Sequence, residues 1–204
     1  MKFVFGTTNE AKLKTMQEIL SVLPVEIIGI NALLSHIPAV DESGSDPLEN
    51  AIIKATAYYQ TLRVPVFSCD SGLFIEGIED SMQPGVHVRN VNGKQLQDGE
   101  MIAHYTTLAK KLGGQCHAVY RNAICLIYDE HHVYTDMSDD LSGESFIISS
   151  IPHPKRRVGF PLDSLSIHAQ TGKYYFDIEE ERGLTTAQGF VDFFTQVLHS
   201  LKVL

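Results

Sequence analysis

The chain has 204 residues, 44% hydrophobic and 20% charged, enough to bury a sizeable core and to exclude disorder or a collagen-like repeat. Sixteen lysines and arginines stand against 25 aspartates and glutamates, a formal charge of −9. A broad basic face for nucleic acid is therefore excluded, although a few converging cations or a bridging metal would still suit a polyphosphate.

In chain order, Lys2 to Phe5 reads as a short buried strand running into Gly6, Thr7, Thr8 and Asn9. Leu13, Met16, Ile19 and Leu20 then recur at helical spacing, with Lys12, Lys14 and Glu18 on the other face. A second strand is predicted from Val25 to Ile30. The polar loop Asp41 to Pro47 follows, and Asp46 or Pro47 opens a helix over roughly Leu48 to Leu62. Val64 to Phe67 reads as a strand ending at Ser68-Cys69-Asp70-Ser71-Gly72, with a further short strand at Leu73 to Ile75. A loop continues through Pro84 and Gly85. Met101, Tyr105, Leu108 and Leu112 mark another helix, stopped by Gly113-Gly114.

The middle third changes character. His117 to Tyr128 and Val133 to Met137 flank Asp129-Glu130-His131-His132 as a hairpin, and Glu144 to Ser149 offers a third strand. Ile151 to Lys173 is loop-rich. A last helix presents Leu184, Ala187, Phe190, Val191, Phe194, Val197, Leu198 and Leu201 on one face. Strand and helix alternate first and antiparallel strands then dominate. This predicts an α/β fold, a mixed central β-sheet flanked by helices, within one domain over 1–204 that has a β-rich excursion at about 116–150.

The three cysteines, Cys69, Cys116 and Cys125, form no CxxC pair and read as reduced thiols of a cytoplasmic protein. The apolar run in MKFVFGTTNE is too short for a signal peptide, and no run reaches membrane-span length, so no membrane partner is expected.

Three segments carry chemistry. Thr7-Thr8-Asn9-Glu10-Ala11-Lys12 stands where a strand feeds a helix; amides, hydroxyls and a lysine there suit a phosphate, or Thr8 or Asn9 simply caps the helix. It is not a Walker loop. Asp41-Glu42-Ser43-Gly44 is an acidic, glycine-containing loop able to hold Mg²⁺ or merely solvated, and Asn50 and Lys54 share a helix face. Asp70, expected at the carboxyl end of a strand, suits a metal ligand or a general base, or else belongs to an Asp-Ser-Gly turn.

The ordered set Thr-x-Asn-x-x-Lys, Glu-Asn-Ala-x-x-Lys-Ala and Asp-Ser-Gly-Leu resembles the inosine triphosphate pyrophosphatase family. Pro84-Gly85-Val86 and Gly159-Phe160-Pro161-Leu162-Asp163 are similar to its later motifs. A Maf-like pyrophosphatase fits these segments less well. The resemblance implies two lobes with a nucleotide-binding cleft between them, and hydrolysis of a nucleoside triphosphate to monophosphate and pyrophosphate. It implies that Thr7, Thr8, Asn9 and Lys12 grip phosphate with Lys54 nearby, and that Glu42 and Asp70 hold Mg²⁺. Asp70 would be the general base, with Lys12 stabilising the oxyanions, and Ser71 would contact phosphate or ribose. Phe160 would stack on the base, with Asp163 at the base pocket. A homodimer is also implied.

The departures cluster in the base-recognition half. Pro161 and Leu162 replace a glycine and an aromatic residue. Thr186-Ala187-Gln188 stands where the family reads the base with a His-Arg pair, leaving Gln188 as the polar group there, and only Arg182 substitutes for a lysine upstream. Cys69 stands for an aspartate, Ala11 for a glycine, and Arg89 is displaced by one position. Lys155-Arg156-Arg157 either supplies the lost cationic contacts or is a solvated basic loop. His87, His131 and His132 read as surface residues. Two functions follow: a Mg²⁺-dependent nucleotide pyrophosphatase with altered base preference, or a nucleotide-binding protein with weak or no turnover.

Overall fold

The computed structural model describes residues 1–34, 36–178 and 184–203. The chain folds as two compact units, each assembled from separate segments. The first comprises Met1–Ser71, Arg121–Ser142 and Thr185–Leu204; the second comprises Gly72–Tyr120 and Gly143–Leu184.

Side-chain alternation organises the first unit. In β1 (Lys2–Phe5), Phe3 and Phe5 enter one core while Val4 enters another, because successive side chains of a strand leave opposite faces. β1 lies between two parallel neighbours, β2 (Glu26–Gly29) and β3 (Val66–Ile75). The helices α1 (Glu10–Ile19) and α4 (Leu184–Ser200) cover the phenylalanine face, and α2 (Pro47–Leu62) covers the other. Phe67 stacks on Phe5 with centroids 4.6 Å apart and meets Phe194 edge-on at 5.1 Å.

β6 (Gln115–Ile127) repeats the alternation, sending Ile124 and Leu126 to one core and Ala123, Cys125 and Ile127 to the other. It pairs antiparallel with β7 (Val133–Asp136), the hairpin that the sequence predicts.

The second unit packs α3 (Asp98–Lys111) against Leu73, Ile75, Cys116, Ala118, Phe146, Ile148, Leu162 and Leu165. Here β6 pairs antiparallel with β8 (Phe146–Ser149), which pairs with β9 (Ser166–His168). A two-residue Asn92-Gly93 turn, both residues at positive φ, joins β4 (Asn90–Val91) to β5 (Lys94–Gln95). The sheet is thus mixed and flanked by helices, as expected. No helix among the described residues is long and apolar enough to cross a membrane.

Two expectations are corrected. Ser68 to Gly72 is not a turn between two strands, because β3 runs unbroken from Val66 to Ile75. Gly72 serves close approach: a Cβ there would lie 3.2 Å from the carbonyl carbon of Gly85, whose amide pairs with the Leu73 carbonyl at 3.0 Å. Asp70 is therefore mid-strand. Its place relative to β1 still fits a ligand-facing position, since β1 ends at Phe5, opposite Phe67. The loop-rich stretch after Ile151 also contains β9, a strand too short to show a period in the sequence.

One tight contact makes a prediction. A Cβ on Gly189 would lie 2.1 Å from the Asp140 carbonyl oxygen. In Gly189→Ala, about 1 kcal/mol of helix propensity opposes about 3 kcal/mol of overpacking. Calorimetry should therefore show the Tm lowered by roughly 4–8 °C; a Tm that holds or rises would show that the Asp140 turn yields freely.

Candidate functional site

The site grows from the start of α2. Asp46 caps this helix by accepting the Glu49 amide at 2.9 Å, and Pro47 takes the first turn, where its missing N–H costs nothing. The Ser45 amide and hydroxyl donate to Glu49 Oε2 at 2.7 and 2.9 Å. Asn50, buried, accepts the Gly44 amide at 2.9 Å. Together these bonds fix residues 44 to 49, just after Glu42.

One helical turn beyond Asn50, Lys54 is buried and its Nζ reaches two carboxylates, Asp70 Oδ1 at 2.8 Å and Glu42 Oε2 at 3.1 Å. Burial alone would lower the lysine's pKa. The Asp70 carboxylate, with help from Glu42, outweighs it and holds Lys54 above its ordinary value. The group is therefore an ammonium ion at every physiological pH. The Asp70 side chain is only 14% exposed, whereas Glu42 is 49% exposed and reaches toward solvent. The sequence placed Lys54 beside phosphate; the geometry places it between the two candidate metal ligands.

Lys54 uses one oxygen of each carboxylate, so Glu42 Oε1 and Asp70 Oδ2 keep their lone pairs. These are hard oxygen donors already converging on a cation. Mg²⁺ takes one or two such carboxylates and completes its shell with water and phosphate. The donor set fits that ion, even though no group of three His, Cys, Asp or Glu suited to a metal occurs among the described residues. Cys69, next to Asp70, adds no charge: burial pushes its thiol up to about 12, against the pull of Lys12 and Lys54.

Asn9 is the N-cap of α1, its Oδ1 accepting the amides of Ala11 at 3.0 Å and Lys12 at 3.3 Å. Thr7 Oγ1 accepts the Asn9 amide at 3.2 Å. The capping reading of this segment is thus realised. The exposed Thr8 and Lys12, and the Asn9 side-chain amide, remain as donors at the helix start. Ser71 donates to Asn122 Oδ1 at 2.7 Å, and Asn122 Nδ2 donates to the Leu141 carbonyl at 2.8 Å. Asn122 escaped sequence reasoning; its one signal was an amide interrupting an apolar strand.

In the second unit, Gly159 at positive φ leads into Phe160, and Pro161 opens a short 3-10 turn that carries Asp163. The Arg157 guanidinium lies over the Phe160 ring, 4.6 Å from its centroid, and 3.6 Å from Asp163 Oδ2. Arg89 is held by Asp98 at 2.8 Å. In the first unit, Gln188 is exposed on α4 and donates to Asp192 at 2.8 Å along the helix, which does not gather it with the other predicted site residues. Arg182 lies outside the described residues.

A sequence model of the Ham1 family matches residues 3–182. A dITP/XTP pyrophosphatase of Leptospira interrogans is 30% identical over 185 residues, 88% of this chain and 87% of that protein. One of Aquifex aeolicus is 41% identical over 87 residues, 43% of this chain and 40% of its own length. Among solved structures, a HAM1 protein of Coxiella burnetii aligns with a TM-score of 0.76 at 24% identity, covering 98% of this chain and 99% of that one. The Ham1 protein of Staphylococcus aureus gives 0.70 at 22%, covering 99% and 100%. At these identities the two structures speak for the fold.

The ion triad sets a pH dependence. A pKa raised on folding adds stability that is complete below the unfolded value of 10.5 and is lost as pH climbs through the folded value above it. Lys54→Met should cost about 2–3 kcal/mol, under the range for a fully buried pair because Glu42 faces water. Urea melts of both proteins should give the same difference at pH 7 and pH 9; a difference that shrinks by pH 9 would place the lysine's pKa below its ordinary value.

Proposed function

The chain belongs to the Ham1 family, and from that premise we propose that it is a Mg²⁺-dependent nucleoside triphosphate pyrophosphatase whose base preference departs from the dITP/XTP of its relatives' names. The observation that carries this reading is the convergence of Glu42 and Asp70 on buried Lys54. Resemblance at the Thr-x-Asn-x-x-Lys segment supports the phosphate end, and the family's dITP/XTP pyrophosphatases support the reaction class.

In this reading Glu42 and Asp70 hold Mg²⁺, which neutralises phosphate charge and makes water a better nucleophile when bound. Lys54 keeps the two carboxylates at a fixed separation, so little reorganisation is needed when substrate arrives. Thr7, Thr8, Asn9 and Lys12 bind the triphosphate, with Lys12 facing charge that builds on the leaving oxygens. Asp70 takes the proton from the attacking water. The water oxygen joins the α-phosphorus, the bond from the α-phosphorus to the bridging oxygen breaks, and that oxygen leaves with the electron pair as part of pyrophosphate. No serine or cysteine among these residues has an adjacent base, which supports direct attack by water. Ser71, held by Asn122, contacts the phosphate or ribose, and Phe160 stacks on the base beside Asp163. By resemblance Gln188 stands where the family reads the base, and in the structure it donates to Asp192 along α4. The protein acts as a homodimer in the cytoplasm.

Pyrophosphate release, measured across standard and deaminated triphosphates, tests the reading. We expect release that chelation abolishes, and at least a hundredfold loss of kcat in Asp70→Asn, the scale of a removed general base. Undiminished release in that variant would sink the assignment. Nucleotide bound tightly and recovered intact would favour a binding protein without turnover.

A further inference from the structure

Ser71 and Asn122 lie on neighbouring strands, β3 and β6. Asn122 Nδ2 donates to the Leu141 carbonyl at 2.8 Å, and Asn122 Oδ1 accepts the Ser71 hydroxyl at 2.7 Å. The Leu141 carbonyl fixes which way this side-chain amide faces. A carbonyl oxygen has only lone pairs, so the amino end of Asn122 meets Leu141 and the oxygen end meets Ser71. An amide oxygen carries no proton, so Ser71 supplies the one between them. Its Oγ is left with lone pairs alone and offers a ligand an acceptor, not a donor.

The face on which Ser71 stands narrows what the ligand atom is. Side chains alternate along β3: Phe67 and Cys69 pack with Ile124 and Leu141 in the phenylalanine core, while Asp70 turns the other way to Lys54. Ser71 shares the side of Phe67 and Cys69, which sets it apart from the waters of a metal held by Glu42 and Asp70. It is half-buried, neither sealed in the core nor fully in solvent. The present inference rests on the nucleotide reading above, in which Ser71 contacts the phosphate or ribose. Phosphate oxygens are acceptors, and an acceptor set against the Ser71 lone pairs gains no bond. In that reading the base lies on Phe160 beside Asp163, which leaves the sugar hydroxyls as the nucleotide's remaining donors. We propose that Asn122 is a positioning residue that fixes Ser71 as an acceptor, so that Ser71 binds a sugar hydroxyl of the nucleotide and not its phosphate.

A free serine hydroxyl rotates and serves either kind of partner. Asn122 removes that choice before any ligand arrives, so the hydroxyl needs no ordering on binding. The arrangement separates a nucleotide from a bare polyphosphate. Pyrophosphate, the product in the reading above, lacks the donor that Ser71 takes, so this contact holds the substrate and the nucleoside monophosphate without holding pyrophosphate.

Binding without turnover tests the contact. Calorimetry compares inosine monophosphate, 2′,3′-dideoxyinosine monophosphate and inorganic pyrophosphate on the wild-type protein, Ser71→Ala and Asn122→Leu. Both nucleotides carry the same base, so its contribution cancels in their ratio. The wild type should bind the ribose compound about threefold to tenfold more tightly than the dideoxy compound, the scale of one hydrogen bond. Ser71→Ala should bring that ratio close to one and leave pyrophosphate affinity unchanged. Asn122→Leu, similar in shape and with Ser71 still present, should shrink the ratio, because the freed hydroxyl also turns its proton outward. A role limited to packing would leave the ratio as it is. The proposal is overturned by a ratio unchanged in Ser71→Ala, or by a loss of pyrophosphate affinity in that variant. Circular dichroism on each variant separates misfolding from lost contact, and the Ser71→Ala arm decides even where Asn122→Leu does not fold. Failure of the pyrophosphatase reading is a different result, since it appears as no pyrophosphate released from any triphosphate whatever the sugar preference.

Discussion

A buried ammonium ion between two carboxylates is the constraint on which the candidate site depends. Removing ions from water costs several kcal/mol each, and the attraction among them offsets this only while every partner is in place. Lys54 comes from the middle of α2, Asp70 from β3 and Glu42 from a loop, so the triad fixes three separate segments at one point. An apolar trio of equal volume would pack as well or better. Its charge thus points to a role beyond stability, and convergent oxygen donors are what a polyphosphate's counter-ion requires.

The cores of the first unit put that point where it can be used. Phe67 is held between Phe5 and Phe194, so β3 is fixed in register beside β1 before it reaches Asp70. β1 then stops and β3 continues, which leaves Asp70 past the end of its neighbour rather than under it. On the opposite face, α2 packs Ala51, Ala55 and Tyr58 into the second core, and this rotation directs Lys54. Small residues at 51 and 55 let the helix approach the sheet closely. Burying the phenylalanines supplies the apolar stabilisation that a charged triad cannot.

Much of this was legible in the sequence because it is written in local periods and caps. The alternation of β1, the Asp46-Pro47 start of α2 and the Gly113-Gly114 stop of α3 all lie within one element or one turn. What misled was turn chemistry overridden from a distance: Asp-Ser-Gly reads as a turn, yet a strand runs through it because Gly85 pairs alongside. The motifs single out Glu42, Asp70 and Lys54 one by one, but that Lys54 bonds to both carboxylates is visible only in the fold, since a distance across two elements leaves no mark in spacing. Asn122 and Arg157 were missed or left open for the same reason. Their partners, Ser71 and Phe160, are identified only by folded geometry.

The loop before α2 carries a consequence for binding kinetics. Asn50, Glu49 and Asp46 hold residues 44 to 49 by bonds made within the protein itself. Ordering a free loop costs about 1–2 kcal/mol per residue in backbone entropy. Here that cost is met during folding for residues 44 to 49, and Glu42, two residues before them, is tied to the same helix through Lys54 Nζ, so its carboxylate is in place before any ligand arrives. At the proposed Mg²⁺ site, occupancy would then be governed by how fast water leaves the ion rather than by any rearrangement of the chain.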